Sequence, residues 1–297
     1  MKGFVATIGM FDGVHLGHQF VLRQVVEKAH TLGLQSLCIT FDHSPHREEV
    51  LTPLDEKLRL IRQTGIDHIE TLAFTPELKS LTAKQFMTQV LRELLGVSVL
   101  LTGYDNRFGH NREEGFDDYV RYGQELGIEV LALPPLTHHP SPITQVSSSY
   151  VRQLLKAGNV SEATACLGRH YTMTGHVVHG EHIGTSLGYP TANLLPDDPR
   201  QLIPAAGVYA VEVTPITHHP SPFKGMMNIG TRPTFGQHPQ TLEVHLLHYQ
   251  GDLYDQQLSV SFIGRIREER RFDDAEALRK QIQQDAEEIE KITTSHS

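Results

Sequence analysis

The run TIGMFDGVHLGH, from Thr7 to His18, constrains what this chain can fold into more than any other stretch. Phe4 to Ile8 is a short apolar run that reads as a strand, and Gly9 and Gly13 permit a sharp turn after it. Beyond Gly17 the pattern changes to helical spacing, with Phe20, Val21, Val25, Val26 and Ala29 on one side, and Ser36 to Thr40 reads as a second strand. Strand, glycine-rich turn, helix and strand within about 35 residues is the βαβ unit of a parallel sheet, whose ligands sit beyond the strand ends. His15 and His18 fall there.

The physics of that position favours an anion. The first amides of a helix have no partners and carry partial positive charge, so they bind phosphate, and Gly17 lets backbone come close. Two imidazoles beside them can donate to phosphate oxygens as charge develops. The competing reading is a pair of exposed loop histidines in a chain that holds 19 of them.

Segment texture divides the chain. Alternating helix-like and strand-like segments run to about Leu133, including a strand over Val97 to Leu101 and a helix over Gly115 to Leu126. Two short helical stretches follow, broken at Gly158. The pattern then alternates as half-buried antiparallel strands do, at Met173 to His179, Val208 to Val213, Leu242 to Leu247 and Leu258 to Phe262. A closing helix buries Ala275, Leu278, Ile282, Ala286 and Ile289 on one face, with Asp273 or Asp274 as N-cap. The boundary is expected near Gly168, giving domains 1–168 and 169–297, and 297 residues suffice for two cores.

Composition excludes several classes. A net charge of −9 argues against a general nucleic-acid binder. No apolar run approaches the roughly 20 residues that span a bilayer, and no signal peptide precedes Phe4, so a cytoplasmic protein off the membrane is expected. Cys38 and Cys166 read as buried thiols, not as a disulfide or metal site. The repeated THHPSP, at Thr137 to Pro142 and Thr217 to Pro222, reads as two exposed loops, because no carboxylate or cysteine lies within it.

The chain resembles the bifunctional bacterial riboflavin kinase and FAD synthetase family. TIGMFDGVHLGH looks like the HxGH signature of nucleotidylyltransferases, and Leu51 to Leu60, GYDNRFGH from Gly103 and SSSYVRQLL from Ser147 follow in that family's order. GHVVHGEHIGTSLGYPTANL from Gly175, GVYAVEV from Gly207, MNIGTRPTFG from Met227 and LEVHLL from Leu242 match its kinase half. The resemblance implies a Rossmann-like parallel-sheet domain followed by a mostly antiparallel β-barrel with a C-terminal helix.

It also implies two chemistries with riboflavin, FMN, FAD and ATP as substrates or products. In adenylyl transfer, the FMN phosphate attacks the α-phosphorus of ATP and pyrophosphate leaves, a step that rests on in-line positioning and charge stabilisation. His15 and His18 match the family's phosphate-contacting pair, with Gly9, Phe11 and Asp12 in the same word. Ser147, Ser148 and Arg152 match its second phosphate word, in which Ser149 replaces a threonine, and Gly103, Asp105 and Arg107 match the word near the adenosine and flavin phosphate. Met10 stands where the family has asparagine, Asn106 where it has phenylalanine, and His43, Ser44 and Pro45 where it has P-H-P, with His43 or His46 as candidate replacements for the missing histidine.

In phosphoryl transfer, the 5′-hydroxyl of riboflavin needs a base and magnesium should bridge the phosphates. Glu243 matches the family's base, although a glutamate between Leu242 and Val244 otherwise reads as an outward-facing strand residue. Thr191 and Asn193 match its Mg2+ and phosphate ligands, Gly180 and Gly184 flank a phosphate loop in which Thr185 replaces a common arginine, and Arg267 falls at a flavin-side arginine. Two other readings stand beside this one: a kinase whose first half is a degenerate module, and a flavin-binding regulatory protein without turnover. The sequence is silent on oligomeric state.

Overall fold

The computed structural model describes residues 3–43, 48–104, 106–110, 113–133, 146–178, 189–216, 222–231, 240–249 and 251–294. Asp105, Gly180, Gly184, Thr185, Ser44, Pro45, His46 and all of both THHPSP copies except Pro222 lie outside the described residues.

The chain forms two compact units, 1–148 and 149–297. The first is a five-stranded parallel sheet built from β1 (Phe4–Ile8), β2 (Gln35–Phe41), β3 (His68–Leu72), β4 (Val97–Thr102) and β5 (Glu129–Ala132). Their spatial order is β3-β2-β1-β4-β5. The chain thus winds one way from β1 to β3, then returns to the other side of β1 with β4. That reversal opens a crevice beyond the carboxyl ends of β1 and β4, the usual ligand position in such sheets.

Helices cover both faces. Leu22, Val25 and Ala29 of α1 (Leu16–Leu32) pack with Val5, Cys38 and Val99 on one face, joined by Leu60 and Ile61 of α2 (Leu54–Arg62). Phe86, Met87, Val90 and Leu91 pack with Ala6, Ile39 and Leu100 on the other, from α4 (Ala83–Phe86) and the π-helical stretch Met87–Leu94 that continues it. The short α3 (Pro76–Ser80) precedes them, and α5 (Phe116–Leu126) adds Tyr119 to this second cluster. With both faces covered, the strands need no apolar alternation, and Ala6, Thr7 and Ile8 are all buried.

The second unit opens with α6 (Ser148–Lys156) and α7 (Val160–Leu167) and closes with α8 (Ala275–Thr294). Between them β6 (Tyr171–Val178), β7 (Ala192–Pro196), β8 (Gly207–Pro215), β9 (Phe223–Thr231), β10 (Gln240–Leu246) and β11 (Gln257–Arg267) make a closed antiparallel barrel in the order β10-β7-β6-β11-β8-β9. Closure removes the unpaired strand edges. Tyr209, Met227, Val244 and Ala192 form one inward row across four strands, and Val208, Asn228, Glu243 and Asn193 form the adjacent outward row. On the outer wall Ile289, Ile282 and Ala286 of α8 cover Val208, Ala210 and Met226. Asp274 caps this helix by accepting from the amide of Ala277 at 2.7 Å.

The division between units falls between Ser148 and Ser149, earlier than the change of texture near Gly168. The physical reason is that α6 and α7 are fastened to the barrel. The Ala205 amide donates to Leu155 O, Ser161 Oγ to Ile263 O, and the guanidinium of Arg265 reaches both Ala157 O and Ala206 O. Helical texture alone does not say which core a helix joins.

Candidate active sites

The turn after β1 builds the first site. Gly13 has φ +84, and Phe11 and Val14 hold positive φ values of 50 and 38 without being glycine. Such backbone costs about 1–3 kcal/mol per residue and persists only where surrounding structure enforces it. Here both side chains are buried in the core on the α1 side of the sheet, and the Val14 amide donates to Phe11 O. The turn delivers His15 to the N-cap of α1, where its Nδ1 accepts from the His18 amide at 3.3 Å. That bond leaves the ring proton of neutral His15 on Nε2.

His15 and His18 stack, with ring centroids 3.6 Å apart and planes 20° from parallel, and the edge of Phe11 meets His18. Nδ1 of His18 is covered and has no hydrogen-bond partner among the described residues. Burial, then the neighbouring His15 and the ammonium of Lys57, hold the His18 imidazole well below its ordinary pKa. A stacked imidazole pair at the positive end of a helix can donate to an anion.

Several other members of the word hold the turn together. The carboxylate of Asp12 accepts from the amides of Leu51 and Thr52, which ties the turn to the segment leading into α2. Within the first unit, Ser148 Oγ donates to the Asp12 carbonyl at 2.8 Å. The side chain of Met10 packs on the apolar cluster of the other sheet face, while its carbonyl accepts from Thr40 Oγ1. Ser147 precedes α6, and Arg152 lies within that helix, in the second unit.

The loop after β4 completes the crevice. Asn106 bridges the strand ends, its Nδ2 donating to Ile8 O and to Thr102 Oγ1, which gives this asparagine a local role that phenylalanine cannot fill. Phe108 stacks on Tyr119 at 4.1 Å, and its amide donates to the Tyr119 hydroxyl. Arg107 lies over Gly115, where a Cβ would stand 2.1 Å from its Nη1. Gly103 is open, with nothing within 4 Å of the place a Cβ would take.

The second site is a row on the outer barrel wall. Glu243 on β10 is paired with Asn193 on β7 and with Asn228 on β9. Directly opposed residues point to the same side with Cβ atoms roughly 4.5–5.5 Å apart, so a carboxylate and two carboxamides share one patch. Two residues along β10, His245 is hydrogen-bonded through Nδ1 to Pro190 O at 2.7 Å and meets the Tyr189 ring edge-on, which anchors the segment entering β7. Burial lowers the His245 pKa despite that bond. Thr191 lines a cavity of about 110 Å³ with Val177, Leu246, Tyr249 and Tyr254.

Arg267 is already engaged. Its guanidinium grips Asp285 of α8 at 2.8–3.1 Å and donates to Glu268 O, and Asp285 is 1% exposed. The sequence reading missed Asn228, His245, Tyr119 and Lys57. His245 stands in the same alternating word as Glu243, but nothing in the pattern marks its partner as the carbonyl of a residue far upstream.

A crevice lined by a helix N-terminus in a parallel-sheet unit, joined to a barrel with an acid–amide row, defines a two-unit nucleotide-dependent transferase. The family models agree half by half: residues 1–150 match FAD synthetase and residues 167–293 match riboflavin kinase. The chain belongs to the family of bifunctional riboflavin kinase/FMN adenylyltransferases. It is 37% identical over 291 residues to the protein of that name from Escherichia coli K12 and 40% identical over 293 residues to that from Pseudomonas fluorescens, in each case covering 96% of this chain and 91% of the relative. The crystal structure of a macrolide-efflux protein from Streptococcus pneumoniae is similar over 97% of this chain and 94% of that one, with a TM-score of 0.85 at 29% identity. Among the described residues, no helix is long and apolar enough to cross a membrane.

Proposed function

We propose that this protein makes FMN from riboflavin in its barrel unit and FAD from FMN in its sheet unit, with ATP as the second substrate of both steps. The observation that carries this reading is the coexistence, in one chain, of the Glu243–Asn193 pair on the barrel wall and the His15–His18 stack at the N-terminus of α1. Each meets a different chemical need.

In the first step Glu243 takes the proton of the riboflavin 5′-hydroxyl as that oxygen attacks the γ-phosphorus of ATP. The bond to the bridging oxygen breaks and ADP leaves. Thr191 and Asn193 supply neutral oxygens, which fit Mg2+ because that ion keeps several waters and takes other ligands from the nucleotide. When bound, Mg2+ offsets the charge of the phosphates. Gly180 and Gly184 are assigned to the phosphate loop, and Arg267 to the flavin side through its hold on α8.

In the second step the FMN phosphate attacks the α-phosphorus of a second ATP and pyrophosphate leaves. His15 and His18, the first amides of α1, Ser147 and Ser148 stabilise the spreading charge, and Arg152 is assigned to the same step. Gly9, Phe11 and Asp12 shape the turn, Gly103 and Arg107 bound the crevice on the β4 side, and Asp105 is assigned to the same step. Met10 and Asn106 are integrated into the sheet by hydrogen bonds at its strand ends, which favours a working first unit over a degenerate one. The substrates are soluble small molecules, and the cytoplasm is the compartment assigned to the protein.

The test is to incubate purified protein with riboflavin, ATP and Mg2+ and to separate the flavins by chromatography. FAD is expected. FMN alone would leave only the kinase, and unchanged riboflavin would refute both assignments.

A further inference from the structure

Lys57 lies in the middle of α2 yet is only 5% exposed, a rare state for a lysine. Its Nζ donates to Phe41 O at 2.6 Å and to Met10 O at 3.4 Å. Phe41 ends β2, and Met10 belongs to the turn that leaves β1. The ammonium therefore ties two neighbouring parallel strands together at their carboxyl ends, on the crevice side of the sheet.

The charge on that ammonium has no ion-pair partner among the described residues. Asp12 faces it from the turn, Cys38 from β2, Asp42 from just beyond β2, and His18 from α1. The Asp12 carboxylate is occupied by the Leu51 and Thr52 amides, and Asp42 by the His43 and Phe74 amides. Burial pushes the Cys38 thiol up, so it stays neutral. Two carbonyls solvate a cation without cancelling its charge, and a third N–H has no acceptor among the described residues. An unpaired buried charge is expensive, and an apolar side chain of similar length would fill the same space without that cost.

We propose that Lys57 is a positioning residue for adenylyl transfer: its buried ammonium clamps the carbonyls of Met10 and Phe41, keeping the turn that presents His15 and His18 in shape, and biases the crevice toward polyphosphate. The inference rests on the adenylyltransferase reading of the first unit. The same charge supports the neutral form of His18, whose ring stacks on His15 and meets the Phe11 ring in a T-shaped contact.

The test uses the full chain with FMN, ATP and Mg2+, and takes FMN formation from riboflavin as an internal control in the other unit. Lys57→Gln and Lys57→Met are expected to lower kcat for FAD formation by about 100-fold, the scale of an ångström-level misplacement, while FMN formation is unchanged. The acid limb of the FAD-forming rate should move to higher pH in Lys57→Gln, because His18 protonates more readily without the neighbouring charge. Lys57→Arg keeps the charge and should leave that limb in place. A merely structural lysine would lower the folded fraction without moving the limb. Equal rates and an unmoved limb in Lys57→Gln overturn the proposal. If the unaltered protein forms no FAD, the adenylyltransferase reading fails on its own. Titration of the His18 ring by NMR, without substrate, then decides for Lys57: a higher pKa in Lys57→Gln supports its role and an unchanged one overturns it.

Discussion

Glu243 and Asn193 face each other across β10 and β7, a carboxylate opposite a carboxamide on the outer wall of a closed barrel. Strand pairing brings the two together although fifty positions separate them in the chain, and the alternation that buries Leu242 and Val244 turns Glu243 outward. The outward strand glutamate is therefore also the residue proposed as the general base.

Replacing Glu243 with glutamine keeps the shape and removes the proton acceptor. FMN formation is expected to fall by roughly 10²–10⁴-fold, while supplied FMN is still converted to FAD. His18→Ala should do the reverse. Loss of both steps from either substitution in a folded protein would contradict the two-site arrangement.

Asn193→Ala removes a neutral oxygen from the patch beside Glu243. The expected outcome is a weaker dependence on Mg-ATP in the kinase step, with KM raised by about tenfold, equivalent to about 1.4 kcal/mol of lost binding. Initial rates over a series of Mg2+ concentrations check this, and an unaltered KM would remove Asn193 from the ligand set.

The Arg267–Asp285 pair fastens α8 to the end of β11. Truncating Asp285 to alanine leaves a guanidinium mostly buried without its partner, so a loss of roughly 3–5 kcal/mol from the barrel unit is expected. Calorimetry should show the barrel transition moving down while the sheet unit melts as before. Joint movement of both transitions would point to a different role for the pair.

Two histidines have folded pKa values held below the ordinary value, His18 and His245, each chiefly by burial. In the unfolded chain they protonate near a pKa of about 6.5, before they do in the folded one, so the unfolded state binds more protons below that pH. Their contribution to stability is present above about pH 6.5 and is lost as the pH falls towards the folded values. The melting temperature should drop between about pH 7.5 and pH 5.5, with a shallower slope in a His18→Gln, His245→Gln double variant. A slope as steep as in the unaltered protein would show that other groups govern the acid limb.

Much of this molecule was legible in its sequence because the relevant forces are local. The β1 strand, the glycine turn and α1 follow from apolar spacing and from the φ that Gly13 must adopt, and the face of α8 follows from a 3.6-residue period. His15 and His18, three positions apart at a helix start, could be read as an anion site before any fold was known.

The rest depended on pairings between distant segments, which local patterning does not encode. Whether α6 and α7 join the sheet or the barrel was decided by bonds such as Ala205 to Leu155. Met10 and Asn106 read as departures from the family's pattern, and tertiary neighbours give the Met10 carbonyl and the Asn106 amide partners at the strand ends. Nothing in the sequence singles out Lys57, and only the fold buries its ammonium against Phe41 and Met10. The sequence by itself determined which segments are strands and helices and which side chains are candidates for chemistry, because spacing and residue type act over one or two turns. Tertiary structure alone decided which of those groups meet, because hydrogen bonds and burial depend on the register of segments far apart in the chain.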